Sequence, residues 1–191
     1  MNAPISTKPI EPKKKQILET GLVLFAEIGF EATPVPLIAE KAGVATGTIY
    51  RYFPSKESLL NEIYRNAKLA VEEIVFRNFS EQKTIEAKFR NICKNWIEIS
   101  KENPILFQFL ELHLHDAYLD EESKKIEFGF KKKIQQFIKE GQNSGILEEY
   151  DPMFLYAIVT GAITKIFKSK IPWTKKTIEH TIDLCWKLIS K

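Results

Sequence analysis

The sequence has little glycine, very little cysteine and no long apolar run. Only 8 glycines and 2 cysteines occur among its 191 residues, against 13 phenylalanines. Few glycines and many large apolar side chains favour packed helices over a turn-rich β fold. Cys93 and Cys185 lie far apart in the chain, so we expect buried free thiols rather than a disulfide.

Signals for export or membrane insertion are also missing. The N-terminus lacks the roughly 7–15-residue apolar run of a signal peptide, and no stretch approaches the roughly 18–20 apolar residues of a membrane span. Residues 1–12 hold Pro4, Pro9 and Pro12 among small and polar side chains and are predicted to be a disordered arm. We expect a cytosolic protein.

Motifs for catalysis are absent as well. The chain has no glycine-rich phosphate loop and no paired-cysteine metal motif, and Gly141–Gly145 has the wrong spacing for a nucleophile elbow. His113 and His115 would lie about 200° apart on a helix, so they cannot share one metal ion. The sequence therefore disfavours an enzyme, and it predicts no cofactor and no metal.

Positive charge is concentrated locally rather than globally. The net charge of +3 is too weak to imply nucleic acid. However, Lys41, Arg51 and Lys56 fall in a segment without an acid, and residues 13–15 form a second cluster of three lysines. These clusters are compatible with an ordinary solvated surface or with a short phosphate-contacting surface.

Apolar residues recur at three- and four-residue steps, which predicts an all-α chain of about nine helices. No segment alternates with period two over a useful length. Gly29 is expected to end the first helix, Thr33-Pro34 to begin the second, and Ser55 to cap the fourth. The predicted helices cover about residues 17–28, 34–42, 46–52, 55–79, 83–101, 104–117, 121–143, 152–168 and 174–190.

The most informative segment is 37–53, which has the features of a helix-turn-helix. Ala39 is small enough for close helix crossing, and Gly43 can adopt the left-handed conformation of a tight corner. Val44, Ile49 and Phe53 can fill the angle between the helices. In this arrangement the second helix enters the DNA major groove.

The second helix has two distinct faces. Ile49 and Phe53 lie within about 40° of each other at 100° per residue, and they define the buried side. Lys56 adds charge beside the exposed amides of the next helix. The residues predicted to face DNA with hydroxyl, phenol or guanidinium groups, or with open backbone, are Thr46, Gly47, Thr48, Tyr50 and Arg51.

Over about residues 13–60 the chain resembles the tetracycline-repressor (TetR) family of bacterial regulators. The resemblance is carried by residues 25–30, 38–44 and 47–59. It implies a homodimer that binds a palindromic double-stranded DNA operator and is usually released by a small molecule. By position, the resemblance implies DNA contacts from Thr33, at the start of the second helix, and from Thr46, Gly47, Thr48, Tyr50, Tyr52 and Lys56.

Two features depart from the family pattern. Pro34 and Pro36 remove two backbone donors where the second helix begins. Ala45 replaces the usual serine cap of the recognition helix, which costs that helix about 1 kcal/mol.

The remaining chain, residues 55–191, is predicted to bind a ligand and to dimerise, while residues 13–54 form the DNA-binding domain. An apolar cavity with a few polar groups suits a small apolar or aromatic effector, although each aromatic residue taken singly is also what an ordinary core contains. The predicted ligand-binding residues are Cys93, Trp96, Phe107, Leu110, His113, Tyr118, Phe130, Phe137 and Tyr156.

Residues 152–168 and 174–190 are the predicted dimer interface. Both segments carry apolar residues around much of their circumference, and Ala157 and Gly161 allow close helix contact. A second apolar surface left in water would exceed what monomers normally expose, so we expect a symmetric four-helix interface. A helical adaptor that binds protein through its N-terminal domain is the alternative, and salt-dependent binding to duplex DNA separates the two.

Overall fold

The computed structural model describes residues 11–112 and 116–191, and this part of the chain is helical throughout, apart from turns and one isolated β-bridge. The all-α prediction is confirmed. No described helix is long and apolar enough to cross a membrane. The described helices are α1 (Pro12–Ile28), α2 (Val35–Lys41), α3 (Thr46–Tyr52), α4 (Lys56–Val75), α5 (Ile85–Glu102), α6 (Pro104–Leu112), α7 (Glu121–Asn143), α8 (Pro152–Lys168) and α9 (Lys175–Ile189).

The described chain packs into two compact units that interleave in sequence. The first unit contains the chain up to Val71 together with Glu102–Glu127, and the second contains Glu72–Lys101 together with Phe128–Lys191. This grouping by packing does not test the predicted functional boundary at residue 54, which stays a prediction.

In the first unit, α1 supplies the central apolar face. Pro12 stands in its first turn, and Ile17, Leu18 and Phe25 are fully buried at helical spacing. Gly29 ends α1 with a φ of 85°, and its N–H donates to the Phe25 carbonyl at 3.2 Å. Because only glycine tolerates this conformation without strain, the predicted end of the first helix has a backbone reason.

Polar contacts fix the chain segments that pack on α4 within the first unit. The Asn61 amide donates to the carbonyls of Glu57 (2.9 Å) and Tyr118 (2.8 Å) and accepts from the Asp120 N–H (2.9 Å). Lys68 pairs with Glu127 at 2.8 Å, and both side chains are mostly buried. Such groups are costly to bury unpaired, so these contacts define one arrangement of the segment that precedes α7 and of the first turns of α7.

In the second unit, α5, α7, α8 and α9 bury a mostly aliphatic and aromatic core. Asp151 caps α8 by accepting from the N–H groups of Met153 (2.8 Å) and Phe154 (3.1 Å). A short bridge between Leu147 and Ser190 joins the segment before α8 to the end of α9. Cys93 and Cys185 are buried and free, which confirms the thiol prediction.

Three predicted boundaries need correction. The helix begun near Ser55 ends at Val75 rather than near Phe79, because Asn78 adopts a left-handed φ of 59° and a 3-10 turn follows at Phe79–Glu81. The helix predicted over 104–117 ends at Leu112; residues 113–115 lie outside the described residues, and Asp116–Tyr118 form a 3-10 turn. Residues 1–10 of the predicted arm also lie outside them, whereas Pro12 already belongs to α1.

Two glycines of α7 give a matched test of the packing. A Cβ at Gly141 would lie 2.5 Å from Leu147 Cδ1 and 3.1 Å from Ile85 Cγ2, whereas one at Gly129 would meet nothing within 4 Å. We expect Gly141→Ala to lower the free energy of unfolding by about 1–3 kcal/mol through overpacking. Gly129→Ala is expected to raise it by about 0.5–1 kcal/mol through helix propensity.

Urea denaturation of both variants measures the difference. Equal effects of the two substitutions would contradict the close packing at Gly141.

Candidate nucleic-acid interface and apolar cavity

The turn between α2 and α3 sets the angle of α3. Gly43 has a φ of 62°, and the N–H of Val44 donates to the Ala39 carbonyl at 3.0 Å. Ala39 and Ala42 are buried, so the two short helices pack closely. The corner predicted at Gly43 is therefore present, with the left-handed backbone that it requires.

The seven residues of α3 separate into a buried and an outward side. Ile49 and Phe53, the residue after the helix, are each 1% exposed, whereas Tyr50 is 49% exposed and Arg51 is also exposed. Gly47 is exposed, and Thr46 and Thr48 are half-buried. The structure thus places the predicted outward residues on one accessible face, with aliphatic and aromatic anchors behind it.

The N-terminus of α3 has no side-chain cap. Ala45 is the N-cap residue and makes no side-chain hydrogen bond. A Cβ at Gly47 would meet nothing within 4 Å. Packing within the described chain therefore does not require glycine at this position, and its small size leaves the first turn of α3 open from outside.

Arg51 and Tyr52 form a polar chain with the residue before α1. The Arg51 guanidinium donates to the Tyr52 hydroxyl at 3.0 Å, and this hydroxyl donates to the Glu11 carboxylate at 2.5 Å. The guanidinium carbon also lies 4.9 Å from the Tyr52 ring centroid. Glu11 thus occupies a position where an incoming anion would compete for the Tyr52 hydroxyl.

Lys56, the first residue of α4, is held close to the end of α1. Its Nζ donates to the Glu31 carbonyl at 3.3 Å and lies 4.3 Å from the Phe30 ring centroid. The ammonium has three donors, so this contact leaves donors for a phosphate. Beside it, hydrogen bonds from the Glu57 backbone and the Ser55 side chain lower the pKa of Glu57, which keeps this carboxylate ionised.

Thr33 does not lie where the family resemblance places a phosphate contact. Its side chain is fully buried, and its hydroxyl donates to the Gly29 carbonyl at 2.6 Å. The N-cap of α2 is Pro34, not Thr33. Because the Thr33 hydroxyl satisfies a carbonyl at the end of α1, we correct the expected role of Thr33 to a structural one.

The predicted ligand-binding residues fall into separate places. Phe107, Leu110 and Tyr118 belong to the first unit, and His113 lies outside the described residues. Phe130 packs behind the Trp96 ring, with centroids 5.9 Å apart, and does not line the cavity described next. The four that come together are Cys93, Trp96, Phe137 and Tyr156.

These four residues line an apolar cavity of about 40 Å³ in the second unit. Sequence reasoning missed the rest of its wall, which is mainly aliphatic. Phe89 and Ile92 precede Cys93 and Trp96 on α5 at helical spacing, so this periodicity could have revealed that they share a face. The further lining residues are Phe89, Ile92, Ile134, Ile138, Leu155, Val159, Thr160, Ile163 and Ile189.

The cavity wall is electrically neutral. None of its lining residues is acidic, basic or histidine. Burial raises the pKa of the Cys93 thiol well above its usual value, with a smaller contribution from Cys185, so Cys93 stays protonated. Within the described residues, no group of three or more His, Cys, Asp or Glu side chains could hold a metal ion.

Part of α8 and α9 remains accessible in the single chain. Leu184 and Leu188 are 61% and 59% exposed on one side of α9, and Phe154 is 54% exposed on α8. Ala157 and Gly161 follow Phe154 along the outer side of α8 and are also exposed. The inner stripes of both helices are buried in their own unit, which leaves this outer apolar surface uncovered.

Comparisons with known proteins agree with this architecture. Residues 17–63 match the model of the bacterial regulatory proteins of the tetR family, and residues 64–191 match the tetracyclin repressor-like C-terminal domain. The fatty acid metabolism regulator protein of Bacillus subtilis (strain 168) is 28% identical over 144 residues, which cover 74% of each chain.

Solved structures show the same fold. A TetR family transcription regulator from Marinobacter aquaeolei VT8 superposes with a TM-score of 0.80 at 23% identity and covers 94% of this chain and 96% of its own. The fatty acid degradation regulator of Bacillus halodurans superposes with a TM-score of 0.74 at 21% identity, with coverages of 94% and 97%. With family models matched from residue 17 to residue 191, the chain belongs to the TetR family and is a DNA-binding transcriptional regulator rather than an enzyme.

Proposed function

We propose that the chain is a repressor that binds a palindromic operator as a homodimer and is released by a small apolar effector. The observation that carries the DNA-binding part is the division of α3 into a buried side at Ile49 and an accessible side at Tyr50 and Arg51. The proposed DNA contacts are Thr46, Gly47, Thr48, Tyr50, Arg51, Tyr52 and Lys56.

Each group on this face has a chemical use at a duplex. The Arg51 guanidinium can bond a base edge or a phosphate, and the threonine and tyrosine hydroxyls can bond phosphates. Lys56 supplies a cation at the start of α4. For Tyr52 to reach a phosphate, that phosphate must replace the Glu11 carboxylate as acceptor of the Tyr52 hydroxyl.

The outer surface of α8 and α9 supports the homodimer. Leu184 and Leu188 lie one turn apart on α9, and Phe154, Ala157 and Gly161 follow helical spacing on α8. Isologous packing of these surfaces would form a four-helix interface and remove the exposed leucines from water. Two recognition helices could then address successive major grooves, about 34–36 Å apart.

The cavity of the second unit supports an apolar effector. Its lining is neutral and mainly aliphatic, and two similar proteins are named as regulators of fatty acid metabolism or degradation. These names favour an aliphatic chain over an aromatic ligand. An effector that binds more tightly to the conformation that cannot bind DNA shifts the equilibrium toward that conformation. The size of this shift is limited by the difference in its affinity for the two conformations.

Substitutions of Tyr50 and Arg51 directly test whether the accessible face of α3 contacts DNA. On a duplex selected by the protein from a random library, we expect Tyr50→Ala and Arg51→Ala to weaken binding about 5- to 100-fold, because each loses polar contacts with the duplex. Lys56→Ala should also reduce the slope of log affinity against log salt by about 1. Fluorescence anisotropy titrations at several salt concentrations measure both effects.

Thr33→Val is the control for this experiment. Thr33 is buried and makes its hydrogen bond within the chain, so this variant should bind DNA like the parent protein. The assignment fails if Tyr50→Ala, Arg51→Ala and Lys56→Ala all keep the parental affinity, or if Thr33→Val loses as much affinity as Tyr50→Ala.

Gly47 separates the demands of stability from those of DNA binding. Because a Cβ there meets nothing in the chain, Gly47→Ala should raise the free energy of unfolding by about 0.5 kcal/mol. The added methyl group would stand where the duplex backbone approaches α3, so DNA affinity should fall by about tenfold through steric overlap. Thermal unfolding measures the stability and fluorescence anisotropy measures the affinity for DNA. A close approach of DNA to Gly47 would be refuted if the stability rises while the affinity for DNA is unchanged.

The dimer surface is tested by charge insertion on α9. Leu184→Glu and Leu188→Glu should weaken dimerisation by roughly 100-fold, because a carboxylate would be buried without a partner. Leu69→Glu is the control, since Leu69 is 51% exposed on α4, outside the proposed interface. Sedimentation equilibrium would contradict the interface if all three variants have the same dimer dissociation constant.

A further inference from the structure

The carboxylate of Glu11 is held at the end of the recognition helix rather than at its own helix. Glu11 is the N-cap residue of α1, yet its side chain makes no capping hydrogen bond there. Instead, its Oε1 accepts from the hydroxyl of Tyr52, the last residue of α3, at 2.5 Å. The two residues are 41 positions apart in the sequence. The described contact of this side chain is therefore with a predicted DNA-binding residue.

The Tyr52 hydroxyl lies between a cation and an anion. It accepts from the Arg51 guanidinium at 3.0 Å and donates to the Glu11 carboxylate. A short O–H donor bond to a carboxylate is charge-assisted, and such bonds are stronger than neutral ones. The guanidinium strengthens it further, because hydrogen bonds in a chain polarise one another. A phosphate oxygen that approaches Tyr52 would thus meet a donor whose proton is already engaged.

The lysines of the first turn of α1 do not account for this carboxylate. Lys14 pairs with Glu62 at 2.7 Å, and its Nζ lies 5.4 Å from the Phe53 ring centroid. Lys15 approaches Glu19 at 3.8 Å. Both ammonium groups have acids of their own, so the negative charge of Glu11 remains directed at the Tyr52 hydroxyl.

We infer that Glu11 is an internal competitor for DNA phosphate, which lowers the affinity of the accessible face of α3 for the duplex. Binding has two added costs: the Tyr52–Glu11 hydrogen bond must break, and the phosphate is brought close to a carboxylate of the same sign. Both costs disappear when the carboxylate is removed. This inference rests on the proposed DNA contacts of Arg51 and Tyr52.

A purely supporting role for Glu11 makes the opposite prediction. If the carboxylate served to orient the Tyr52 ring for DNA, its removal would weaken binding. The sign of the change in affinity therefore separates competition from orientation.

Glu11→Gln and Glu11→Ala test the competition in the full-length protein, on the duplex selected from a random library. Glutamine keeps an acceptor without the charge, so we expect about threefold tighter binding, whereas alanine should give about five- to tenfold. The gain should shrink as salt rises, because salt screens the repulsion between carboxylate and phosphate. Fluorescence anisotropy measures the affinities. Thermal unfolding should match the parent protein, since no capping hydrogen bond is lost.

Glu27→Gln is the matched control for the change in net charge. Glu27 is also exposed and belongs to α1, but it follows Glu11 by 16 positions. That is about 24 Å along the helix axis, beyond the roughly 8 Å screening length at physiological salt. Its affinity for the duplex should stay within twofold of the parent value.

Tyr52→Phe supplies a second measurement, because it removes the hydroxyl that holds Glu11. In this background Glu11→Ala should change the affinity less than twofold, so the two substitutions should be strongly coupled. A full gain in the absence of the hydroxyl would overturn the competition at Tyr52.

The remaining outcomes separate this inference from the proposed function. If Glu11→Ala binds the duplex no more tightly than the parent protein, or Glu27→Gln gains as much, Glu11 is not a competitor. The DNA contacts of α3 still stand in that case, provided that Tyr50→Ala weakens binding. If the parent protein binds no duplex, the proposed function itself is overturned.

Discussion

The accessible face of α3 depends on the burial of Ile49 and Phe53. A seven-residue helix is not stable alone in water, and α3 has no side-chain cap at Ala45 to compensate. Its order therefore comes from packing against the rest of the first unit. The same two anchors set the rotation of the helix about its axis, so they decide that Tyr50 and Arg51 point outward.

The interior of the second unit differs from this close packing, because it contains an unfilled cavity. Close packing normally leaves few voids, yet the helices of the second unit leave a space of about 40 Å³ beside Trp96 and Phe137. Stability is thus lower here than the same helices could provide, which is typical of sites that bind a further molecule.

Sequence reasoning succeeded where a pattern is local. The 100° step along α3 predicted its buried and outward sides, and apolar periodicity predicted the helix over 152–168 that α8 forms. It failed for Thr33, because a family position indicates a residue type but not whether its hydroxyl turns inward to the Gly29 carbonyl. It also grouped Phe107 and Tyr118 with Trp96, since periodicity does not reveal that residues 102–127 return to the first unit.

The protonated state of Cys93 has a consequence for the timing of regulation. Thiolates, not thiols, attack electrophilic carbon, and burial keeps the Cys93 sulfur in the thiol form. A molecule held beside Cys93 would not be attacked by this sulfur and would leave chemically unchanged. Occupancy of the proposed effector cavity would then follow the surrounding concentration in both directions, and under the proposed mechanism DNA binding would resume without repair or new synthesis of the protein.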